Sequence, residues 1–506
     1  MEFYEKTGKI WRILGSVIFV AVFLFVINEL FFGLGFENSE EVKKAEVSDV
    51  LRVVYPDEPA GLEPTLIDSI TRQRLINVYE PLVKFDRDLK IKPALAVSYG
   101  LIEPTVWEFR LKDGVKFHDG SMFDSEDVMA SVKRAKENKN SDLVGMLSTV
   151  DSVEKIDDLT LRMKTFKPDP LLLQKLALLM IVPSEAGGEL AGAPVGTGPY
   201  KFAFWDKSGE QHKIILEAFD ERAKFKTVQM ISEVDKFIRT KMLMDGETDL
   251  LTFVPFDAVE ILKEKGFMTE ALPSLEVQFL VFNFKSKYFS NLENRKLVSL
   301  VVDQDYLVEA VGGFARKVSQ FVSNGNFGFS AKIAEHDYDL EKAKALNADV
   351  KGQTISIHLA TGLDLLGEHL RKQLKEVGVS AVVSYMDGEK LLESMKNGDA
   401  DLYFLALKSD LGDSASFFED VALSSGKFNI ARYLNPALDE LVERSSIEMD
   451  PELRLKNLQE AMGIVTQDYF GVPMFEYETV YGLDSKFDFK PRIDGMIYFE
   501  DVTKKS

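Results

Sequence analysis

Residues 106–135, VWEFRLKDGVKFHDGSMFDSEDVMASVKRA, decide how this chain is read. On its face the stretch offers chemistry: His118 and Asp119 are adjacent, and Asp124, Glu126 and Asp127 follow closely. Its periodicity offers architecture instead. Trp107, Phe109 and Leu111 alternate with Val106, Glu108 and Arg110, the pattern of a half-buried strand. Lys112-Asp113-Gly114 reads as a turn, residues 115–117 as a second strand, and His118-Asp119-Gly120 as another turn. Asp124 or Ser125 then caps a helix, with Glu126 and Asp127 at its positive end and Val128, Val132 and Ala135 on its buried face. Each carboxylate has a local structural task, and His118 has no second histidine nearby in sequence with which to share a metal.

Around this stretch lies a chain of 506 residues, which predicts two or three domains. Apolar residues make up 45% and charged residues 28%, a globular balance, and 37 phenylalanines can fill large cores or line an apolar cleft. The net charge of −21 repels nucleic acid and anionic lipid, so no phosphate-binding role is expected. With no cysteine, disulfides, thiolate nucleophiles, cysteine-based zinc sites and lipidation of an N-terminal cysteine are all excluded.

Residues 13–36, ILGSVIFVAVFLFVINELFFGLGF, form an apolar run preceded by Lys6, Lys9 and Arg12. As a helix rising about 1.5 Å per residue, it would reach about 36 Å and cross a hydrocarbon core. The preceding basic residues put residues 1–12 in the cytoplasm and everything after residue 36 outside. An uncleaved anchor is favoured over a signal peptide with its apolar core at 13–27, because no convincing cleavage site follows. Residues 37–48 read as a charged tether.

Beyond the tether, strand-like and helical runs alternate, which predicts α/β architecture. Strands are expected at 51–56, 160–164, 213–218, 277–284, 354–359 and 381–385. Helices are expected at 235–245, 364–377, 388–396, 436–447 and from Pro451 to about Asp468, and one is expected to carry Leu75, Ile76, Val78 and Tyr79. Residues 354–385 read as a strand–helix–strand unit, with Gly378 ending the helix.

Catalytic patterns are missing. The five histidines lie in no HExxH arrangement, and no GxSxG, Walker A or GxGxxG sequence occurs. VGTGPYKF, 195–202, reads as a structural turn, since Pro199 removes a donor and no helix follows. Asp157-Asp158 reads as a turn between strands. Asp410 and Asp413 in ALKSDLGDSASFFED stand out, because they follow the apolar run 402–407 at a strand end, where α/β proteins bind ligands. An ordinary acidic loop is the competing reading.

Taken together, several stretches resemble the extracytoplasmic solute-binding proteins of ABC transporters in the oligopeptide, dipeptide and nickel group. They are AGLEPT, VYEPLVKFD (78–86), KPALAVSY (92–99), the opening stretch, GTGPYKF (196–202), DGETDLL (245–251), ENRKLVSLVVDQDYLVEAV (293–311) and NIARYLNPALDELVERS (429–445). The resemblance implies a two-lobed periplasmic-binding-protein fold of type II in its large three-domain variant. Lobe I would comprise 49–82, 196–274 and 482–506, an inserted domain 83–195, and lobe III 275–481, with hinge crossings at 274–277 and 479–483. It implies a monomeric receptor, not an enzyme, that closes on peptide and delivers it to a permease and its ATPases. A non-peptide solute such as an oligosaccharide or metal chelate, and a permease-independent envelope sensor, are the alternatives. No cofactor and no metal ligand are expected.

The resemblance also implies a site. Ala406-Leu407-Lys408-Ser409-Asp410 occupies the place of a Gly-Trp-x-x-Asp motif. Asp410 would pair with the ligand's α-amino group, and the backbone of Ala406, Leu407 and Lys408 would hold an extended peptide like an added strand. Asp68 and Ile70 would reach the ligand from the other side. Leucine at 407, alanine at 406 and serine at 414 depart from the motif, and Lys408 adds a charge beside it.

Overall fold

A computed structural model describes residues 49–186, 188–426 and 428–505. The expected cytoplasmic segment, anchor and tether of residues 1–48 lie outside the described residues. Among the described residues no helix is long and apolar enough to cross a membrane.

Among the described residues an eleven-stranded mixed sheet carries the body from Val50 onward. From one edge its order is Ser380–Met386, Thr354–Ala360, Leu402–Lys408, Met268–Phe282, Gly471–Leu483, Leu250–Leu251, Val50–Tyr55, Thr227–Ser232, His212–Ala218 and Tyr200–Asp206. The short strand Ala315–Lys317 pairs with Gly471–Leu483 off this path. Alternation explains the local choices: in Thr354–Ala360, Ile355, Ile357 and Leu359 are buried while the residues between them are not. The following helix, Asp364–Glu376, buries Leu366, Leu370 and Leu374 at helical spacing. Gly378 then takes φ 82°, and Ser380–Met386 returns parallel to the first strand.

Met268–Phe282 and Gly471–Leu483, 15 and 13 residues long, pair antiparallel and join the two halves of the sheet. Sequence patterning detects only the C-terminal half of the first, because residues 268–276 lack strict alternation. The pairing slips between Pro273 and Val277. Within that slip Leu275 holds φ 62°, a left-handed conformation rare for a side chain of its size. Its N–H donates to Glu476 Oε1 at 2.8 Å, and Ser323 Oγ donates to Oε2 at 3.0 Å. Glu476 is only 4% exposed, and burial raises its pKa.

Separate apolar clusters lie against the two halves of this sheet. One gathers Leu280, Phe282, Ile355, Ile357, Leu402 and Val472. Another gathers Leu51, Val53, Tyr55, Tyr200, Val228 and Leu250.

The opening stretch belongs to a second, four-stranded antiparallel sheet ordered Ala96–Glu103, Val106–Leu111, Thr160–Thr165, Val150–Asp157. Its helix, Ser125–Glu137, begins with a reciprocal cap: the Glu126 N–H donates to Asp124 Oδ1 at 2.7 Å, and the Asp124 N–H donates to Asp127 Oδ2 at 2.8 Å. Val128, Val132 and Ala135 are buried.

Two expectations are corrected. Residues 115–117 form no strand; Lys116 makes a single bridge to Met122, because the Phe117 N–H closes a tight turn onto Ser121 O. The helix expected to carry Val78 and Tyr79 is Ser69–Leu75 and stops before them. The carbonyl oxygens of Asn77 and Val78 instead accept from the N–H groups of Tyr200 and Gly198.

Candidate functional site

The histidine and the glycine turn that sequence reading kept apart hold each other. The His118 N–H donates to Gly196 O at 2.9 Å, the Gly196 N–H donates to His118 Nδ1 at 3.3 Å, and His118 Nε2 lies 2.9 Å from Gly198 O. This arrangement requires a neutral ring protonated at Nε2. Burial lowers the ring's pKa, which favours that form. A Cβ at Gly196 would lie 2.1 Å from Val78 O, and one at Gly198 2.4 Å from Asn77 O, so the turn needs both glycines for close backbone approach. His118-Asp119 is therefore a fastening. Among the described residues no cluster of three or more histidine, cysteine or acidic side chains is placed to hold a metal ion.

The two aspartates after strand Leu402–Lys408 separate sharply. Asp413 is 1% exposed, and Arg454, 4% exposed, grips it at both oxygens. Asp413 also accepts from the Ala415 N–H at 2.8 Å. Its neighbours are pinned as well: the Phe327 N–H donates to Gly412 O and the Ser414 N–H to Phe327 O, each at 2.8 Å. Gly412 supplies φ 65° to this turn. Asp410 is carried outward on it, exposed, with no side-chain partner among the described residues. Of the two, it is Asp413 that is buried.

The strand leading to Asp410 has one open edge. On one side Leu402–Lys408 pairs along its whole length with Met268–Phe282. On the other it meets Thr354–Ala360 only at Leu402 and Tyr403. From Phe404 to Lys408 that edge carries no strand among the described residues, so backbone donors and acceptors are available to an added chain.

Two cavities flank this strand end. One, of about 1010 Å³, is lined by Asp68 and Asp410, with Lys139, Lys175 and Leu411 among its walls. The other, of about 940 Å³, is lined by Ser69, Gln73, Phe253, Lys408 and Tyr481, with both long strands in its wall. Residues close in sequence divide between them: Asp68 and Ser69 from one side, Lys408 and Asp410 from the other. Asp68 is exposed, and its carboxylate caps helix Ser69–Leu75 by accepting from the Thr71 N–H at 2.9 Å. Ala406 is exposed, and Leu407 and Ile70 are half-buried; none of the three lines either cavity.

Sequence reading missed the C-terminal segment as cavity wall. Gln73 Nε2 donates to Gly495 O at 3.3 Å, and Arg492 holds Asp494 at 2.7 Å. Gly495 lies 422 residues from Gln73, on helix Ser69–Leu75, and nothing local signals the encounter.

A sheet joined by two long shared strands, with cavities beside them, defines a type II periplasmic-binding-protein fold of mixed α/β class. Solved structures agree on the fold: the periplasmic binding protein DppA of Helicobacter pylori in complex with peptide STSA (TM-score 0.73, 23% identity, 90% of this chain and 98% of that one), HbpA2 of Haemophilus parasuis (0.81, 20%, 90% and 100%), and a nickel ABC transporter protein of Bacillus halodurans (0.76, 20%, 90% and 99%). Among curated relatives, the glutathione-binding protein GsiB of Pectobacterium atrosepticum is 26% identical over 402 residues, 74% of this chain and 77% of its own. The dipeptide-binding protein of Escherichia coli K12 is 24% identical over 484 residues, 85% and 90%. The profile of the bacterial extracellular solute-binding proteins, family 5, matches residues 90–429. The chain belongs to that family, whose members are extracytoplasmic substrate-binding receptors and not enzymes.

Proposed function

We propose that this protein is the receptor of an ABC importer that captures peptides between two lobes and delivers them to a membrane permease and its ATPases. The observation that carries the reading is Asp410: a carboxylate with no side-chain partner among the described residues, just past a strand whose neighbouring edge, Phe404–Lys408, none of the described strands covers. A peptide extending the sheet there would gain main-chain hydrogen bonds without side-chain selection and could place its ammonium on Asp410. The relatives' names, dipeptide-binding and glutathione-binding, and the peptide-bound DppA agree with this ligand class.

Lobe I would comprise 49–82, 196–274 and 482–506, the inserted domain 83–195 and lobe III 275–481. The register slip at Pro273–Val277 and its Glu476 anchor support bending at the two long strands. Residues 13–36 would hold the receptor at the membrane in place of a lipid, with residues 1–12 in the cytoplasm.

Native mass spectrometry of the protein purified without denaturation tests the ligand class. A co-purifying peptide supports the reading; a retained oligosaccharide or metal chelate overturns it.

A further inference from the structure

Lys408 closes the open-edged strand and lines the 940 Å³ cavity. Its one hydrogen-bond partner among the described residues is neutral: Nζ donates to Asp494 O at 3.2 Å. The acids around it are engaged elsewhere. Asp257 pairs with Lys236 at 3.0 Å, Glu478 with Arg316 at 2.6 Å and Asp494 with Arg492 at 2.7 Å. Glu276 stands opposite Lys408 in the strand register, but it accepts from the Gln278 amide at 2.7 Å and makes no ion pair with the lysine. A half-buried ammonium held only by a carbonyl is an incomplete arrangement, and a ligand carboxylate would complete it with a charge-assisted bond.

Position then fixes where that carboxylate must sit. Lys408 ends the strand and Asp410 lies two residues on, in the turn beyond it, so their backbones are at most about 7 Å apart. A peptide with its ammonium on Asp410 and its backbone along the open edge passes the lysine within its first few residues.

We infer that Lys408 selects peptides bearing a carboxylate close to the amino terminus: the terminal carboxylate of a di- or tripeptide, or an acidic side chain at the second or third residue. The inference rests on the peptide reading above. It makes Lys408 a specificity-determining residue and gives the cleft complementary ends, an anion for the amine and a cation for the acid.

Titration calorimetry of the full-length protein in detergent, with four probes, tests it: trialanine, trialanine amide, Ala-Glu-Ala amide and N-acetyl-trialanine. Trialanine is expected to bind about tenfold or more tighter than its amide, the worth of one charge-assisted bond. Recovery of affinity by Ala-Glu-Ala amide would mark the side chain as a sufficient source of the carboxylate. Lys408→Gln should erase the preference for acid over amide, with a thermal melt confirming that the variant is folded. Glu276→Gln should enlarge it by removing a repulsive neighbour. Equal binding of acid and amide, with N-acetylation still weakening binding, overturns the role of Lys408 and leaves the peptide reading standing. Indifference to acetylation, or no binding of any probe, overturns the peptide reading and the inference with it.

Discussion

Asp413 and Arg454 form a bidentate ion pair in the interior, with Arg454 Nη1 2.6 Å from Oδ2 and Nη2 2.9 Å from Oδ1. The pair ties the turn after strand Leu402–Lys408 to helix Pro451–Gln467. Phe327 bridges the same turn from a third segment. The turn that carries Asp410 is thus fixed from beneath, while Asp410 itself has no side-chain partner among the described residues. Asp413→Ala would leave the guanidinium buried and uncompensated, at a cost of about 3–5 kcal/mol. Chemical denaturation should show that loss. Ligand affinity should fall as well, because the turn loses its anchor. Unchanged stability would mean that the pair is not what holds the turn.

His118 predicts a pH dependence. Its pKa is depressed from 6.5 by burial, so the folded protein binds this proton less tightly than the unfolded chain. Stability should therefore decline as pH falls below 6.5, until the depressed pKa is passed. His118→Gln should remove that component and cost about 1–3 kcal/mol at neutral pH for the unsatisfied groups of the glycine turn. Thermal melts of both proteins from pH 7.5 to 5 provide the check; parallel curves would contradict the fastening role.

Gly196→Ala should fail for a reason of space. The added Cβ would sit 2.1 Å from Val78 O and 2.8 Å from Tyr79 Cδ1, so the 77–79 segment or the turn must move. A loss of about 1–3 kcal/mol is expected by denaturant titration. Gly114→Ala provides a contrast: it has open space around it, and only its φ of 73° resists substitution.

Glu476 behaves oppositely to His118. Its pKa is raised, so the folded state binds its proton more tightly, and this contribution to stability is full below 4.5 and lost as pH rises through the raised value. Glu476→Gln can still accept from Leu275 and meet Ser323, and should flatten that part of the profile. Glu476→Ala orphans the Leu275 N–H within the register slip and should cost about 1–3 kcal/mol at neutral pH. If the Gln and Ala variants melt alike, the carboxyl does not hold the slip.

Much of this fold is legible wherever local rules decide it. The strand–helix–strand unit at 354–386, the cap at Asp124 and the turn at Asp157-Asp158 follow from periodicity and capping chemistry, because neighbours in sequence settle them. The second strand at 115–117 gives way to a local turn closed by the Phe117 N–H on Ser121 O, and the helix through Tyr79 fails where a distant backbone, at Gly198 and Tyr200, takes the hydrogen bonds. The length of Met268–Phe282 was hidden because its pairing slips midway. In the candidate site, Asp410 and Asp413 look alike in sequence. Only the approach of Arg454, 41 residues on, separates a structural carboxylate from a free one. The cavity wall at Gln73 and Gly495 has no local signature.

The central claim is that Asp410 receives a peptide's amino group, and calorimetry with paired peptides tests it most directly. A free-amine peptide should bind, its N-acetylated twin should bind at least about tenfold more weakly, and Asp410→Ala should abolish the difference. Equal affinity of the two peptides for the unmodified protein would contradict the account.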